Sequence, residues 1–344
     1  MRRPAHRGQR GFMLVLTMWI LVGIAIAAAY FADRVQNSLR LATQRQSGND
    51  ALVALSDTRA EMLFRLATTP MTPYGLGPLP QAIRLDDRPY RDGSVILRMQ
   101  DARGLLSLNS ATDEQLQRLL RTLGVPDDRQ ASLIDSLRDY IDEDSLQRLN
   151  GAEAETYRAA GRAGLPRNAP LTSPLELRQV WGWAEQSALW GKEGLLDLAS
   201  VETRSIINPN TAPWQVLTAL PSVTPDVARA IIARREVEPV NAAWLDRMLG
   251  TQLDTMMSPV SPLPAHAVRL TLRAPGLPWG LRYNVQLTPT GAEAPWNVVY
   301  FHRIEAELAQ GPASNPPTSA HASDPPSLPP RAALPTAAPF LLPN

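Results

Sequence analysis

The chain has 344 residues, which is long enough for about two domains with buried cores. Its formal net charge of +1 gives no general attraction to nucleic acid or to acidic lipid. The sequence contains no cysteine, which excludes disulfides and thiolate metal sites. The four histidines are scattered along the chain, which argues against a histidine-based catalytic or metal cluster.

The first predicted element is a transmembrane helix over residues 12–32. This segment is apolar and contains no charged side chain, and the ten residues before Gly11 include four arginines and no acid. A helix of about 20 apolar residues crosses the hydrocarbon core of a bilayer. The positive-inside rule then holds the N-terminus in the cytoplasm and sends the rest of the chain to the other side of the membrane.

Three fates are open for this segment. Residues 27–29 are small, as at a secretory cleavage site, although the apolar segment is longer than the usual 7–15 residues of a cleaved signal. An uncleaved anchor is the second possibility. The third follows from a resemblance: a basic leader ending in Gly11, followed by Phe12 and an apolar helix, resembles the class III leader of type IV pilins and pseudopilins. That resemblance implies cleavage by prepilin peptidase after Gly11 and methylation of Phe12.

One position departs from the pilin pattern. Pilin subunits usually have glutamate at the fifth mature position, and this chain has Leu16 there. A carboxylate in lipid is costly unless it is paired, which in these filaments means pairing with the terminal amine of the neighbouring subunit. A subunit with Leu16 cannot make this pair with a subunit above it.

Apolar residues at helical spacing continue beyond the membrane segment, and no proline appears before Pro70. We therefore predict a helix over residues 12–68 that bends near Gly48, with two separate helices as the alternative. Strand-like alternation follows at 91–108, which predicts a hairpin with its turn at 101–104. Three more strand-like segments lie far downstream, at 267–273, 281–287 and 297–304.

The chain between these two groups of strands looks helical. The simplest architecture is a β-sheet, from residues 80–108 and 265–305, packed on the N-terminal helix with a helical domain at 109–257 inserted between its strands. This domain contains two helix-hairpin-helix-like units that begin near Leu108 and Ile207. DNA-binding units of this kind present backbone N–H groups of a Gly-x-Gly hairpin to phosphate. Neither copy has that hairpin, so a structural role is favoured, although Arg234 and Arg235 could contact phosphate.

The richest polar cluster lies between the two helical units. Asp135, Asp139 and Asp142 share one helical face, and Asn150, Gly151 and Glu153 follow. Such a helix end, a glycine turn and a glutamate can supply the oxygen ligands that Ca²⁺ requires. The alternative is a solvated acidic face whose charges are paired with nearby arginines, Arg138 and Arg148.

Further expectations concern the remainder of the chain. Ser173, Pro174 and Glu176 form a capping box that starts a helix carrying Leu177, Val180 and Trp181. Four tryptophans are expected in the core rather than at a ligand site, namely Trp181, Trp183, Trp190 and Trp214. Residues 311–344 are rich in proline and predict a disordered tail.

A set of motifs occurs in the order seen in the general secretion pathway protein K family, the minor pseudopilins of bacterial type II secretion systems, and the chain resembles this family over about 230 residues. The motifs are Gly11-Phe12, Asp101-x-x-Gly104 through Leu108-Asn109, Leu133-Ile134-Asp135 to Asp144, Gly151-Ala152-Glu153 with Tyr157, Pro166-Arg167-Asn168, Ser173 to Leu177, and Ile207 to Ala212. The resemblance implies an α+β pseudopilin fold with a long N-terminal transmembrane and stalk helix, a small antiparallel sheet and a large inserted helical domain that binds calcium.

Carried over from this resemblance, the calcium ligands are Asp142, Asp144 and Glu153, while Ala154 replaces an acid that is usual in the family. The resemblance also implies a tip subunit of the periplasmic pseudopilus, anchored in the inner membrane with its C-terminal domain in the periplasm, with the minor pseudopilins I and J as partners. We therefore expect a non-enzymatic subunit that does not bind nucleic acid. The alternative is a membrane-anchored periplasmic helix-hairpin-helix protein that binds DNA during uptake, and a hydrolase is less favoured because no Ser/His/Asp arrangement is visible.

Overall fold

The structure is a computed structural model that describes residues 10–191, 193–202, 204–250, 260–305 and 324–330. Two compact units make up the chain, Met1–Val53 and Ala54–Asn344. The secondary structure and the sheet confirm the predicted mixed fold, with a long N-terminal apolar helix and an antiparallel sheet. The predicted leader, residues 1–11, lies outside the described residues except for its last two.

The first helix, α1, runs from Arg10 to Thr68. It contains an 18-residue window with a mean hydropathy of 2.3, none of which is buried within the protein. Among the described residues this is the one helix long and apolar enough to cross a membrane. The helix continues through Gly48, so the alternative of two separate helices is wrong.

The second unit contains nine strands and seven further α-helices within the described residues. The strands are β1 (Met71–Thr72), β2 (Gly75–Leu76), β3 (Asp86–Asp92), β4 (Val95–Asp101), β5 (Leu106–Ser107), β6 (Ala199–Ser200), β7 (Ala267–Arg273), β8 (Trp279–Leu287) and β9 (Trp296–Glu305). The helices are α2 (Asp113–Thr122), α3 (Asp127–Ile141), α4 (Ala154–Ala159), α5 (Leu195–Leu198), α6 (Trp214–Leu217), α7 (Pro225–Val237) and α8 (Ala242–Leu249). Short 3-10 helices occupy Ala102–Gly104, Pro174–Arg178 and Ser187–Leu189.

Five strands form the main sheet in the order β3-β4-β7-β8-β9, and each neighbouring pair is antiparallel. Val95, Leu97 and Met99 lie at every second position of β4, and all three point into the core, as expected for a strand with one buried face. Since β4 and β7 are direct neighbours, the chain between them leaves and re-enters the sheet at adjacent strands. This segment contains the helices α2–α8.

A hairpin was predicted at 91–108 with its turn at 101–104, and this position of the turn is wrong. The hairpin joins β3 to β4, and Asp92 pairs with Val95 across a turn that contains Gly93 at φ 56°. The two central residues are Gly93 and Ser94, and glycine is favoured at the first of them because it adopts a positive φ without steric cost. Residues 102–104 form a 3-10 helix instead, and β5 pairs in parallel with β6, outside the main sheet.

The helical segment is held together by one hydrophobic core. Trp183 is fully buried at its centre and donates an indole hydrogen bond to the Leu133 carbonyl at 2.8 Å. The other three tryptophans predicted to be in the core are only partly buried and pack against its rim. The Ser173 capping box with Glu176 is present, although it starts the five-residue 3-10 helix Pro174–Arg178, and Val180 and Trp181 come after that helix ends.

Part of the proline-rich tail is ordered beside the sheet. Residues 324–330 lie along β3, and Ser327 forms a parallel bridge with Arg91. For these seven residues the predicted disorder is therefore wrong. The rest of residues 311–344 lies outside the described residues.

Candidate functional site

The acidic cluster is positioned by the end of α3. Leu133, Ile134, Leu137 and Tyr140 bury one side of this helix, which fixes the direction of the acids on its other side. Helix α3 ends at Ile141 because its C-cap, Asp142, takes an extended conformation. The chain then loops back over the helix end.

Asp139 is the buried centre of this region. The backbone N–H of Arg148 donates to both oxygens of its carboxylate at 3.2 Å. A Cβ on Gly151 would lie 2.0 Å from Asp139 Oδ2, so only glycine allows the loop to approach this closely. Burial raises the pKa of Asp139, and the nearby charge of Asp142 raises it further.

The three predicted ligands lie close enough to influence one another. Burial raises the pKa of Glu153, and the negative charges of Asp139, Asp142 and Asp144 add to this effect. Burial raises the pKa of Asp142 as well, with a further contribution from the charge of Asp144. The folded chain therefore concentrates negative charge at the end of α3.

Two carboxylate oxygens in the cluster have no hydrogen-bond partner. Asp142 Oδ1 and Glu153 Oε1 are both buried and unpaired among the described residues. The second oxygen of Glu153 accepts a bond from the Ala154 N–H at 3.3 Å. Asp144 differs because it is exposed, and its Oδ1 accepts a bond from the Leu146 N–H at 2.8 Å.

The alternative of an acidic face paired with arginines holds for only part of the cluster. Arg138 Nε lies 2.8 Å from Asp113 Oδ1, and Arg148 Nη1 lies 3.8 Å from Asp135 Oδ1. No such ion pair reaches Asp142, Asp144 or Glu153 within the ranges that the structure describes. The arginines thus neutralise the outer acids and leave these three without a cationic partner within 4 Å.

The residues present fit a hard cation, although their side chains do not form a complete site. In the described part of the chain, no three His, Asp or Glu side chains are arranged as a metal centre. Calcium also takes backbone carbonyls and water as ligands, so a complete set of side-chain ligands is not required. The unpaired oxygens of Asp142 and Glu153 are the observation that fits a bound cation, because buried carboxylates without partners are strongly unfavourable.

The two helix-hairpin-helix-like units are present as α2–α3 and α6–α7. Helix α2 begins with a capping box between Thr112 and Gln115. Arg235, proposed above as a possible phosphate contact, is buried and donates to the carbonyls of Pro209 and Ala212 at 3.2 and 2.6 Å. That proposal is wrong for Arg235 because its guanidinium is committed to the protein interior.

A buried polar junction was not predicted from the sequence. Asp101 ends β4 and accepts hydrogen bonds from Asn208, Thr211, and the backbone N–H groups of Arg103 and Ala265. The only sequence signal was that Asp101 and Asn208 both belong to motifs of the resemblance. This junction joins the sheet to the start of the second helical unit.

Two family models match the chain, and both describe protein K of the type II secretion system, at residues 97–189 and 207–258. Protein K of Klebsiella pneumoniae is 30% identical over 198 residues, which cover 52% of this chain and 59% of the relative. The chain therefore spans about three fifths of that relative's length. Protein K of Pseudomonas aeruginosa is 26% identical over 261 residues, covering 67% of this chain and 73% of the relative.

Protein K of Aeromonas hydrophila is 25% identical over 287 residues, covering 76% of this chain and 84% of the relative. Among solved structures, the GspK-GspI-GspJ complex from the type 2 secretion system of enterotoxigenic Escherichia coli contains a chain with 19% identity and a TM-score of 0.49. That alignment covers 79% of this chain and 100% of the E. coli chain. The two family models and the three relatives agree with the resemblance carried by the motifs: over residues 97–189 and 207–258 the chain is similar to protein K of the type II secretion system.

Proposed function

We propose that this chain is a minor pseudopilin, a structural and non-enzymatic subunit that initiates or caps the tip of the periplasmic pseudopilus of a type II secretion system. In that role it would support protein export across the outer membrane. The observation that carries this proposal is an exposed apolar helix with Leu16 at the fifth position after Gly11, in a chain that is similar to protein K of the type II secretion system. Residues 109–257 would be the inserted helical domain.

The apolar helix has two roles in this proposal. Its side chains from Met13 to Ser47 are exposed, which leaves them free to contact lipid and later the helices of other pseudopilins. The arginines before Gly11 favour a cytoplasmic N-terminus. We therefore place the protein in the inner membrane as a single-pass protein with a periplasmic C-terminal domain.

Processing at the N-terminus tests this role most directly. In cells with prepilin peptidase, the intact mass of the membrane-extracted protein should correspond to loss of residues 1–11 and gain of one methyl group. Gly11→Val should block cleavage, whereas Gly8→Val, a matched change within the leader, should leave it intact. An N-terminus at Met1 in the wild type, or after Ala29, would contradict the proposal.

Calcium is proposed as the ion held by Asp142, Asp144 and Glu153. The ion would supply positive charge that offsets the repulsion between these carboxylates. Asp142 Oδ1 and Glu153 Oε1 support this assignment because they are buried without partners. The Asp142 end of α3 and the Gly151 turn would then be fixed relative to each other.

The minor pseudopilins I and J are the proposed partners, as the resemblance carried by the motifs implies. Co-expression with the cognate I and J subunits, followed by purification through a tag on this chain, should yield a three-protein complex. Recovery of this chain alone under these conditions would contradict the assignment.

The DNA-binding alternative is less favoured. Burial of Arg235 removes one of the two arginines on which it rested, and Arg234 is ion-paired with Glu238, the residue that follows α7. Salt-dependent binding of duplex DNA by the purified chain at micromolar concentration would favour this alternative instead.

A further inference from the structure

The outer edge of β3 is occupied by the C-terminal segment 324–330. The Arg91 backbone N–H donates to the Pro326 carbonyl at 2.8 Å, and the Leu328 N–H donates to the Arg91 carbonyl at 2.7 Å. A third bond runs from Arg65 Nη1, near the end of α1, to the Pro329 carbonyl at 2.7 Å. The segment therefore lies against β3 through one parallel bridge and reaches across to the helix.

Strand β3 has the properties of an edge that could accept another strand. It is the first strand in the sheet order, so one side of its backbone faces away from β4. It contains Pro89, and proline within a sheet is found on edge strands. Unpaired strand edges bind extended peptides through main-chain hydrogen bonds.

The sequence of the segment limits how far this pairing can extend. Residues 325–330 read Pro-Pro-Ser-Leu-Pro-Pro, so only Ser327 and Leu328 have a backbone N–H. Leu328 uses its N–H on Arg91, and one bridge is formed. The prolines also hold the segment extended before it binds, which lowers the entropy lost on docking.

The attachment is weak enough to be reversible. Residues 324–330 are all exposed or half-buried, and the Asp324 side chain is 96% exposed at its 3.5 Å contact with Arg91. Exposed ion pairs of this kind contribute little to stability. The segment belongs to the same chain, however, so its effective concentration at β3 is on the order of millimolar. A few hydrogen bonds are then sufficient to keep the edge occupied without making occupation permanent.

We propose that the outer edge of β3 is a docking edge for an extended, proline-rich peptide strand, and that residues 324–330 of the same chain are its tethered occupant. The segment closes the edge to other strands until it is displaced. This inference goes beyond the proposed function, because it assigns a role to a tail that no feature of the pseudopilus tip explains.

Two single substitutions test the contact in the full chain in detergent. Leu328→Pro removes the N–H that bonds to Arg91, whereas Ser327→Pro adds a proline at a position whose N–H makes no bond to β3. Hydrogen exchange at the Arg91 amide should become about tenfold faster in Leu328→Pro, as expected for release of a short hydrogen-bonded segment. Ser327→Pro should leave exchange unchanged. Equal exchange rates in the wild type and Leu328→Pro would overturn the proposal.

A second experiment tests docking in trans. A labelled peptide of residues 322–332 is added to the full-length wild type and to full-length Leu328→Pro. The peptide should bind Leu328→Pro about tenfold more tightly than the wild type, because the tethered segment of the variant competes less for the edge. No binding to Leu328→Pro, or equal binding to both proteins, would overturn the proposal.

Discussion

Asn208 donates a hydrogen bond of 2.9 Å to Asp101, and both side chains are completely buried. The two residues are separated by 107 positions. Asp101 is the last residue of β4, and Asn208 precedes α6, so this bond links the sheet to the second helical unit. Burial raises the pKa of Asp101, while its four hydrogen bonds act in the opposite direction.

Removing the Asp101 carboxylate should destabilise the chain strongly. Asp101→Ala removes the acceptor of four hydrogen bonds, three of them buried, and each buried donor left unpaired costs about 1–3 kcal/mol. We expect a loss of at least about 3 kcal/mol in the free energy of unfolding, measured by denaturant titration of the full chain in detergent. Asp101→Asn is the matched control, because it keeps the shape and one acceptor oxygen and should cost less. Equal losses in the two variants would contradict this account.

Calcium should raise the stability of the second unit, and a chelator should remove this effect. At a calcium concentration about 100 times Kd, the expected gain is about 2.7 kcal/mol. Asp142→Asn and Glu153→Gln should abolish the calcium-dependent shift in melting temperature. Asp128→Asn provides the control, because its side chain is 76% exposed at the start of the same helix. A calcium response that survives both ligand substitutions would exclude the proposed site.

The same cluster predicts a pH dependence in chelator. The pKa values of Asp139, Asp142 and Glu153 are raised in the folded chain, so the folded state binds more protons than the unfolded state above pH 3.8–4.5. Stability contributed by this cluster should therefore fall as the pH rises through the raised pKa values. The difference between the wild type and Asp142→Asn, followed by melting temperature against pH, should shrink at lower pH. If the difference in melting temperature between the two proteins did not change with pH, repulsion between these carboxylates would be contradicted.

His302 on β9 should act in the opposite direction. Its burial, together with Arg282 and Arg269, lowers its pKa from 6.5 to about 4. The unfolded chain then binds a proton before the folded chain does, so this residue makes the protein less stable as the pH falls from 6.5 towards 4. As the pH falls from 6.5 towards 4, the melting temperature of the wild type should decrease more than that of His302→Gln. If melting temperature changed with pH equally in the two proteins, the lowered pKa of His302 would be refuted.

Leu16 should determine where the subunit can stand in a filament. Leu16→Glu would supply a carboxylate that can pair with the terminal amine of the neighbouring subunit. Without this pairing a carboxylate in lipid is costly. The variant should appear along the length of overproduced pseudopili, whereas the wild type should be confined to one end, as judged by gold labelling. Leu14→Glu, two positions earlier, should not redistribute the subunit. Wild-type label along the whole filament would contradict the tip position.

The sequence allowed the long helix and most of the sheet to be predicted, because their signals are periodic. Residues 12–32 carry no charge, and Val95, Leu97 and Met99 recur at every second position, as on one face of a strand. Strand β3 was only partly anticipated, since Asp86–Asp92 contains five charged residues and a proline and has no alternating pattern. Its position depends on pairing with β4 and with the tail, which are contacts that no local pattern encodes.

For the candidate site, the sequence likewise indicated the residues but not their distant partners. An acid-rich helix end followed by Gly151 indicated where the carboxylates would gather, and the structure brings Asp142 and Glu153 to the same region as Asp139. The sequence could not show which acids are neutralised, because that depends on Arg138 and Arg148 reaching Asp113 and Asp135. The burial of Arg235 was also unpredictable, since its carbonyl partners lie more than twenty residues earlier.

The adjacency of β4 and β7 has a consequence for the order of folding. The Ala265 N–H meets Asp101 across 164 residues, and closing a flexible loop of that length costs about 4.5 kcal/mol in chain entropy. Helices α2 and α3 depend on local contacts and can form early, whereas pairing of distant strands is slow. If the inserted helices collapse first, they shorten the effective loop and bring the two strands together. The helical insertion would then act as the internal template on which the sheet is completed.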